Sequence, residues 1–253
     1  MKERPILFST SMVKALLEGR KTQTRRVIKN PPFLPCDVPG WRYDGVWSVE
    51  DDGDGLHYLE SLDANGEPTE NYRPIYEKCP YGVPGDILWV REQTEMYFMP
   101  NILTGEPTNA QCGKYTADES PVLDESGFDY VWWYSKNTCP SIHMPRWAAR
   151  IFLRVEDVRA ERLQDITGED AIAEGIEPAK FHKGMWRTIN PDSEVKKSFR
   201  KQVKNAGAVY DVTPSPVAAF SSLWDSINAK RGFGWDTNPW VWVMKFSVKE
   251  VLK

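Results

Sequence analysis

The strongest constraint on the fold is a pattern of short apolar runs broken by turn residues. Ile87-Leu88-Trp89-Val90-Arg91-Glu92 is a near-continuous apolar run of strand length, behind the turn Pro84-Gly85-Asp86. Arg150 to Val158 alternates from Ile151 to Val155, as a half-buried strand does, and Trp240 to Val248 is a strongly apolar run. Pro5 to Phe8 and the aromatic run Tyr130 to Tyr134 read as further strands, with shorter candidates at 41–43, 46–49 and 56–59 between turn signals such as Asp52-Gly53 and Asn65-Gly66. Helical spacing is found in three places. Ser9, Thr10 or Ser11 can cap a helix that places Val13, Leu16 and Leu17 on one face and stops at Gly19. Thr167-Gly168-Glu169-Asp170 has the capping-box pattern, and Gly175 ends that helix. Val217, Phe220, Leu223, Trp224 and Ile227 mark a third, with Gly232 as its stop. Strands that do not alternate with helices exclude a βαβ architecture and predict an α+β domain built on a curled sheet or small barrel.

The chain has 253 residues, enough for one large domain with decorations, and 41% hydrophobic residues supply a core. Polar, turn-rich stretches at 30–83, 100–140 and 177–215 read as insertions into that single domain. No apolar run approaches the roughly 20 residues that span a bilayer, and the N-terminus has no signal-peptide core. Four scattered cysteines, Cys36, Cys79, Cys112 and Cys139, suit free thiols in a reducing cytoplasm. Most of the 11 tryptophans are expected in the core, although rings such as Trp41 or Trp89 can also stack on bases.

A net charge of -4 excludes a uniformly basic binder, but the charge is uneven. Residues 1–30 carry eight bases against two acids, residues 180–204 the same, and residues 44–70 carry nine acids with no lysine or arginine. The basic stretches read either as a phosphate-attracting surface or as solvated faces. The acidic stretch can present itself to a basic protein partner.

Three familiar chemistries lack sequence support. Gly19-Arg20-Lys21-Thr22 has arginine where a phosphate-binding loop has lysine beside glycine, and no glycine stands five residues earlier. No Cys-x-x-Cys occurs, and Cys139 with His143 is the one close Cys/His pair, so no metal site and no cofactor is expected. His57, His143 and His182 are too scattered to suggest a Ser-His-Asp arrangement. What remains is the extended segment Arg20 to Ile28, with Thr22 and Thr24 expected on one side. A desolvated Lys21 amine could take the proton of the Thr24 hydroxyl. Residues three apart on a flat strand face opposite ways, so that pairing requires a bend near Thr22 or Gln23. The competing reading makes Lys21, Arg25 and Arg26 phosphate-binding or solvated, and Thr24 an ordinary strand threonine.

Several ordered motifs together resemble the ASCH family of the PUA-like superfamily. Gly19-Arg20-Lys21-Thr22-Gln23-Thr24-Arg25-Arg26 looks like that family's Gly-x-Lys-Thr-x-Thr-x-Arg segment. Pro84 to Glu92 is similar to its Gly-Asp-x-Leu turn and strand, and Leu163 to Thr167 with Ala173-Glu174-Gly175-Ile176 is similar to its later helix. The closing strand Trp240 to Phe246 fits the last barrel strand, and the whole chain resembles the larger ASCH-like proteins of bacteriophages and prophages. The resemblance implies a PUA-like small β-barrel with flanking helices and large loop insertions. It also implies a cleft for a nucleotide or RNA. In a small bacterial member that removes the acetyl group of N4-acetylcytidine, the working residues fall here on Lys21, Thr24 and Glu174. The implied mechanism is metal-independent acyl transfer. Thr24 attacks the amide, Lys21 takes its proton, and Glu174 positions the leaving amine or a water. Arg26 is a candidate for the oxyanion. Arg20, Thr22, Arg25, Arg26, Trp89, Arg91 and Glu92 are the expected substrate- or nucleic-acid-binding residues. Arg25 departs from the family pattern, which often has an apolar residue there. The same cleft also suits a non-catalytic RNA- or DNA-binding module or a ribonuclease, and the insertions suit a host protein partner.

Overall fold

In a computed structural model of the protein, residues 1–29, 57–62, 68–75, 79–101, 103–179, 183–187 and 212–251 are described. The protein is mixed α+β, with mostly sheet and few helices. The elements in chain order are β1 (Glu3–Leu7), α1 (Thr10–Leu17), β2 (Gln23–Val27), β3 (His57–Leu62), β4 (Pro68–Ile75), β5 (Ile87–Arg91), β6 (Thr94–Pro100), β7 (Pro107–Tyr115), β8 (Thr138–Cys139), β9 (Ile151–Arg162), α2 (Gly168–Ala173), β10 (Trp186–Arg187), β11 (Val212–Thr213), α3 (Pro216–Asn228) and β12 (Trp240–Val251).

Five strands hydrogen-bond in the order β1-β5-β9-β12-β2. β1 runs parallel to β5, with Glu3 opposite Ile87 and Leu7 opposite Arg91. β5 is antiparallel to β9, Trp89 opposite Phe152, and β12 is antiparallel to β2, Met244 opposite Thr24. The remaining strands form a three-stranded sheet β7-β6-β8 and the pairs β3-β4 and β10-β11. Among the described residues no closed barrel is formed.

The chain divides into two compact units. The first consists of Met1–Lys21, Pro84–Glu156 and Phe246–Lys253, and the second of Thr22–Val83 and Asp157–Lys245. Each has its own core. In the first, Ile87, Tyr115, Val122, Met144 and Phe152 pack together, and Phe8 meets Phe246 at a ring-centroid distance of 6.3 Å. In the second, Leu163, Ile166, Phe220, Trp224, Val241 and Val243 are buried together.

Local rules account for the helices. Ser9 caps α1 by accepting from the Met12 N–H at 3.4 Å, and Val13 and Leu16 face the interior while Leu17 is part-exposed. The Thr167 hydroxyl oxygen accepts from the Asp170 N–H at 3.1 Å and caps α2. Ser215 caps α3 with Pro216 at its first position, and Phe220 and Trp224 turn inward.

One expectation is corrected. Tyr130 to Tyr134 is not a strand: Val131 alone bridges to Cys112, and the tryptophans that follow turn over Gly113. Within the stretch read as an insertion at 100–140 lies a strand the sequence did not signal, β7, which pairs along β6 from Thr94 opposite Tyr115 to Pro100 opposite Pro107. Of the insertion at 30–83, the strands at 57–62 and 68–75 are described. The strand candidates at 41–43 and 46–49, the turn at Asn65, Trp41 and most of the acidic stretch 44–70 lie outside the described residues, as do His182 and most of the basic stretch 180–204.

Candidate functional site

α1 ends at Gly19, whose positive φ of 70° lets the chain reverse. The N–H groups of Arg20 and Lys21 then both donate to the Ala15 carbonyl, at 2.9 and 3.0 Å. This turn fixes the backbone of Lys21, the last residue of the first unit. Its side chain is 1% exposed, with the ammonium 5.5 Å from the centre of the Phe8 ring. Arg20 is held at the surface by Glu18, its Nε donating at 2.7 Å.

The second unit begins at Thr22, whose N–H donates to the Ala173 carbonyl at 2.9 Å. β2 starts one residue later. Thr22 is exposed, whereas Thr24 is 1% exposed, so the two threonines do not share an environment. Pleating then divides β2 into two faces. Gln23, Arg25 and Val27 point one way, Thr24 and Arg26 the other.

Arg25 is the best-connected residue of this region. Its Nε donates to Glu161 Oε1 at 3.1 Å, and its Nη2 is bonded to the same oxygen and to Asp170 Oδ2 at 3.2 Å. Its Nη1 donates to Glu174 Oε1, also at 3.2 Å. The side chain has no exposed surface and stands over the Phe220 ring at 5.9 Å. Arg159 adds a second cation, donating to Glu161 Oε2 at 2.9 Å and to Asp170 Oδ2 at 3.5 Å. Burial pushes the Asp170 carboxyl up, but the charge of Arg25, a hydrogen bond from Gln23 and Arg159 outweigh it and hold the group below its usual range. Glu174 caps the C-terminal end of α2 ahead of Gly175, whose φ is +86°, and is 5% exposed. Arg26 is pushed below the usual arginine range by burial, an effect opposed by Tyr81 and Glu174 and reinforced by Arg231. β2 ends the sheet order. Glu174 bonds Arg25 and also acts electrostatically on Arg26.

In the first unit, two guanidiniums lie near the Trp89 ring, Arg91 at 5.5 Å and Arg146 at 5.9 Å from its centre. Arg91 also donates to the Ile142 carbonyl. Glu92 is 1% exposed and takes both oxygens to Arg150, from Nε at 2.9 Å and Nη2 at 3.0 Å. Burial raises the Glu92 carboxyl above its usual range even though Arg150 pulls it down.

Sequence-expected residues thus fall into three groups. Lys21, Thr24 and Glu174 are all withdrawn from solvent, Lys21 in the first unit and the other two in the second. Arg20, Thr22, Arg26, Trp89 and Arg91 keep partial or full exposure. Arg25 and Glu92 are each closed inside an ion network, because a buried charge without an opposite is too costly to keep. Sequence reasoning missed those partners, Arg150, Glu161, Asp170 and Arg159. The signal for Arg25 was the residue itself, a cation inside a strand.

No family model matches the chain, and comparison with curated proteins and with solved structures finds no match. Among the described residues no group of three or more His, Cys, Asp or Glu side chains is arranged to hold a metal ion, and no helix is long and apolar enough to cross a membrane. Cys112 and Cys139 are free, buried thiols, and Cys79 is buried as well.

Proposed function

We propose that the chain acts on nucleosides or nucleic acid as an ASCH-like protein with a PUA-like core, and that it is an amidohydrolase of N4-acylated, cytidine-like pyrimidines. Thr24 supplies the nucleophile, Lys21 accepts its proton, and Glu174 positions the leaving amine or the attacking water. Arg26 stabilises the oxyanion. The observation that carries the reading is the withdrawal of all three working groups from solvent, at 1%, 1% and 5% exposure. An amine and a carboxylate are costly to bury, and groups so withdrawn gather at functional sites as well as in ion networks. The hydrogen bond from Thr22 to Ala173 supports it further, since it ties the start of β2 to the residue before Glu174.

The test is incubation of the purified protein with N4-acetylcytidine while release of free cytidine is followed. Thr24→Ala and Lys21→Ala are each expected to lower kcat/KM by roughly 10²-fold or more. Wild-type rates in both variants defeat the mechanism.

One observation favours a second reading, a non-catalytic nucleic-acid module or a ribonuclease working in the cytoplasm. Half-buried Trp89 carries Arg91 and Arg146 beside its ring, an arrangement that suits a base and its phosphate. That reading requires affinity for RNA or DNA that falls steeply with salt. A host protein bound through the insertions would instead leave binding insensitive to added nucleic acid.

A further inference from the structure

We propose that Arg25 is a positioning residue for Glu174, so that the carboxylate assigned to the reaction is held in place by a guanidinium that itself touches no substrate. The inference rests on the functional reading above for what Glu174 does, but not for how Glu174 is held.

Glu174 stands at an unfavourable place for an anion. It follows the last residue of α2, where the carbonyl end of the helix carries partial negative charge, and Asp170 lies one turn back. A carboxylate buried to 5% exposure at that position needs a cation. Arg25 supplies it through Nη1 at 3.2 Å.

The arrangement does more than neutralise. A guanidinium is a rigid planar fork, so fixing one edge determines where the other edge points. Nε and Nη2 of Arg25 are both committed to Glu161, and Nη2 also to Asp170. The Phe220 ring lies against the plane. The third direction of the fork is thereby set, and Glu174 occupies it. Arg159 engages Glu161 and Asp170, the two carboxylates that anchor Arg25, and so steadies the anchor from its outer side. The two guanidiniums bond Glu161, Asp170 and Glu174, and Arg159 reaches Asp157 as well. Arg26, on the opposite face of β2, is the further cation that Glu174 acts on.

The experiment reads Glu174 directly. Its side-chain carboxyl carbon is followed by NMR at neutral pH in the wild-type protein and in Arg25→Met combined with Glu161→Gln, which removes one cation and one carboxylate together. With Arg25 gone, the carboxyl resonance is expected to move and to broaden, as a side chain released from a fixed donor does. In Arg25→Lys, which keeps the charge and loses the fork, a smaller change is expected, and this variant decides the matter if the double variant does not fold. An unmoved, equally sharp resonance in a folded variant overturns the proposal. Where the wild-type protein turns over N4-acetylcytidine, kcat of Arg25→Lys is expected to fall roughly ten- to hundredfold with KM nearly unchanged, as for a misplaced reacting group. Once Glu174 is replaced by Gln, adding Arg25→Lys should cost no further activity, and a full additional loss overturns the proposal. A wild-type protein inert toward acylated pyrimidines defeats the functional reading, and the carboxyl resonance still decides the role of Arg25.

Discussion

Arg150 shows what a single buried cation can organise. Its fork takes both oxygens of Glu92, and its Nη1 donates to Asp118 Oδ2 at 2.8 Å and Ser120 Oγ at 2.7 Å. Its plane lies 3.8 Å from the centre of the Tyr115 ring, whose hydroxyl donates to the Ala148 carbonyl at 2.9 Å. Removing the arginine strands Glu92 at 1% exposure. Arg150→Met is therefore expected to cost about 3–5 kcal/mol in denaturant unfolding, and adding Glu92→Gln should recover much of it. A loss within experimental error of zero would mean that Glu92 finds another partner. Gly113 is a second residue with little freedom. A Cβ there would stand 2.6 Å from Cζ3 of Trp133. That ring is edge-on to both Tyr130 and Trp147, at 6.1 and 4.8 Å, so it cannot simply swing away. Gly113→Ala should destabilise by about 1–3 kcal/mol, with the shift visible as a change in tryptophan fluorescence of the folded state.

Among the elements, α2 is the most exposed to small changes, because it has six residues and one side-chain cap. Thr167→Ala should cost about 1 kcal/mol. It should also raise amide hydrogen exchange through residues 168–174 while leaving α3 protected; equal protection in variant and wild type would show that packing, not the cap, holds the helix. The cap was legible in the sequence, as were the Gly19 and Gly175 stops and the alternation of β9, since all of these follow from residues within one turn or one strand. β7 was not. Pro107-Thr-Asn-Ala-Gln-Cys-Gly-Lys-Tyr115 has no apolar alternation, and what makes it a strand is its pairing to β6. The aromatic run at 130–134 misled in the opposite sense. Its β-propensity is high, but its rings are engaged with Gly113 and Trp147 rather than with a continuous ladder. The candidate site divides along the same line. Lys21, Thr24 and Glu174 could be named from local motifs, whereas the carboxylates around Arg25 lie 136 to 149 residues away along the chain and carry no local signal.

At the scale of the molecule, each unit has one arginine buried among carboxylates, Arg150 in the first and Arg25 in the second. This predicts how stability depends on acid. Asp118 is held below the usual range, because Arg150 and Ser120 outweigh the upward push of burial, and Asp170 is held low by Arg25, Gln23 and Arg159. A carboxyl with a depressed folded pKa contributes stability that is complete above its ordinary value and is lost as pH falls through the folded value. Glu92 acts in the other sense, since its raised value favours the folded state on the acid side. The two aspartates outnumber it, so thermal melts should hold steady from pH 7 to about 5 and drop below pH ~4. Asp170→Asn should flatten that acid limb; an unaltered limb would place the acid sensitivity elsewhere.

The ring of Phe246 belongs with that of Phe8, and this has a bearing on synthesis. The first unit is opened by residues 1–21 and completed by residues 246–253, with the whole of the second unit translated in between. A growing polypeptide leaving the ribosome must therefore carry β1, α1 and β5 unfinished until the last strand emerges. A stop codon before position 246 would remove part of a core, and its product should be cut rapidly by a protease within 84–156, far from the missing end.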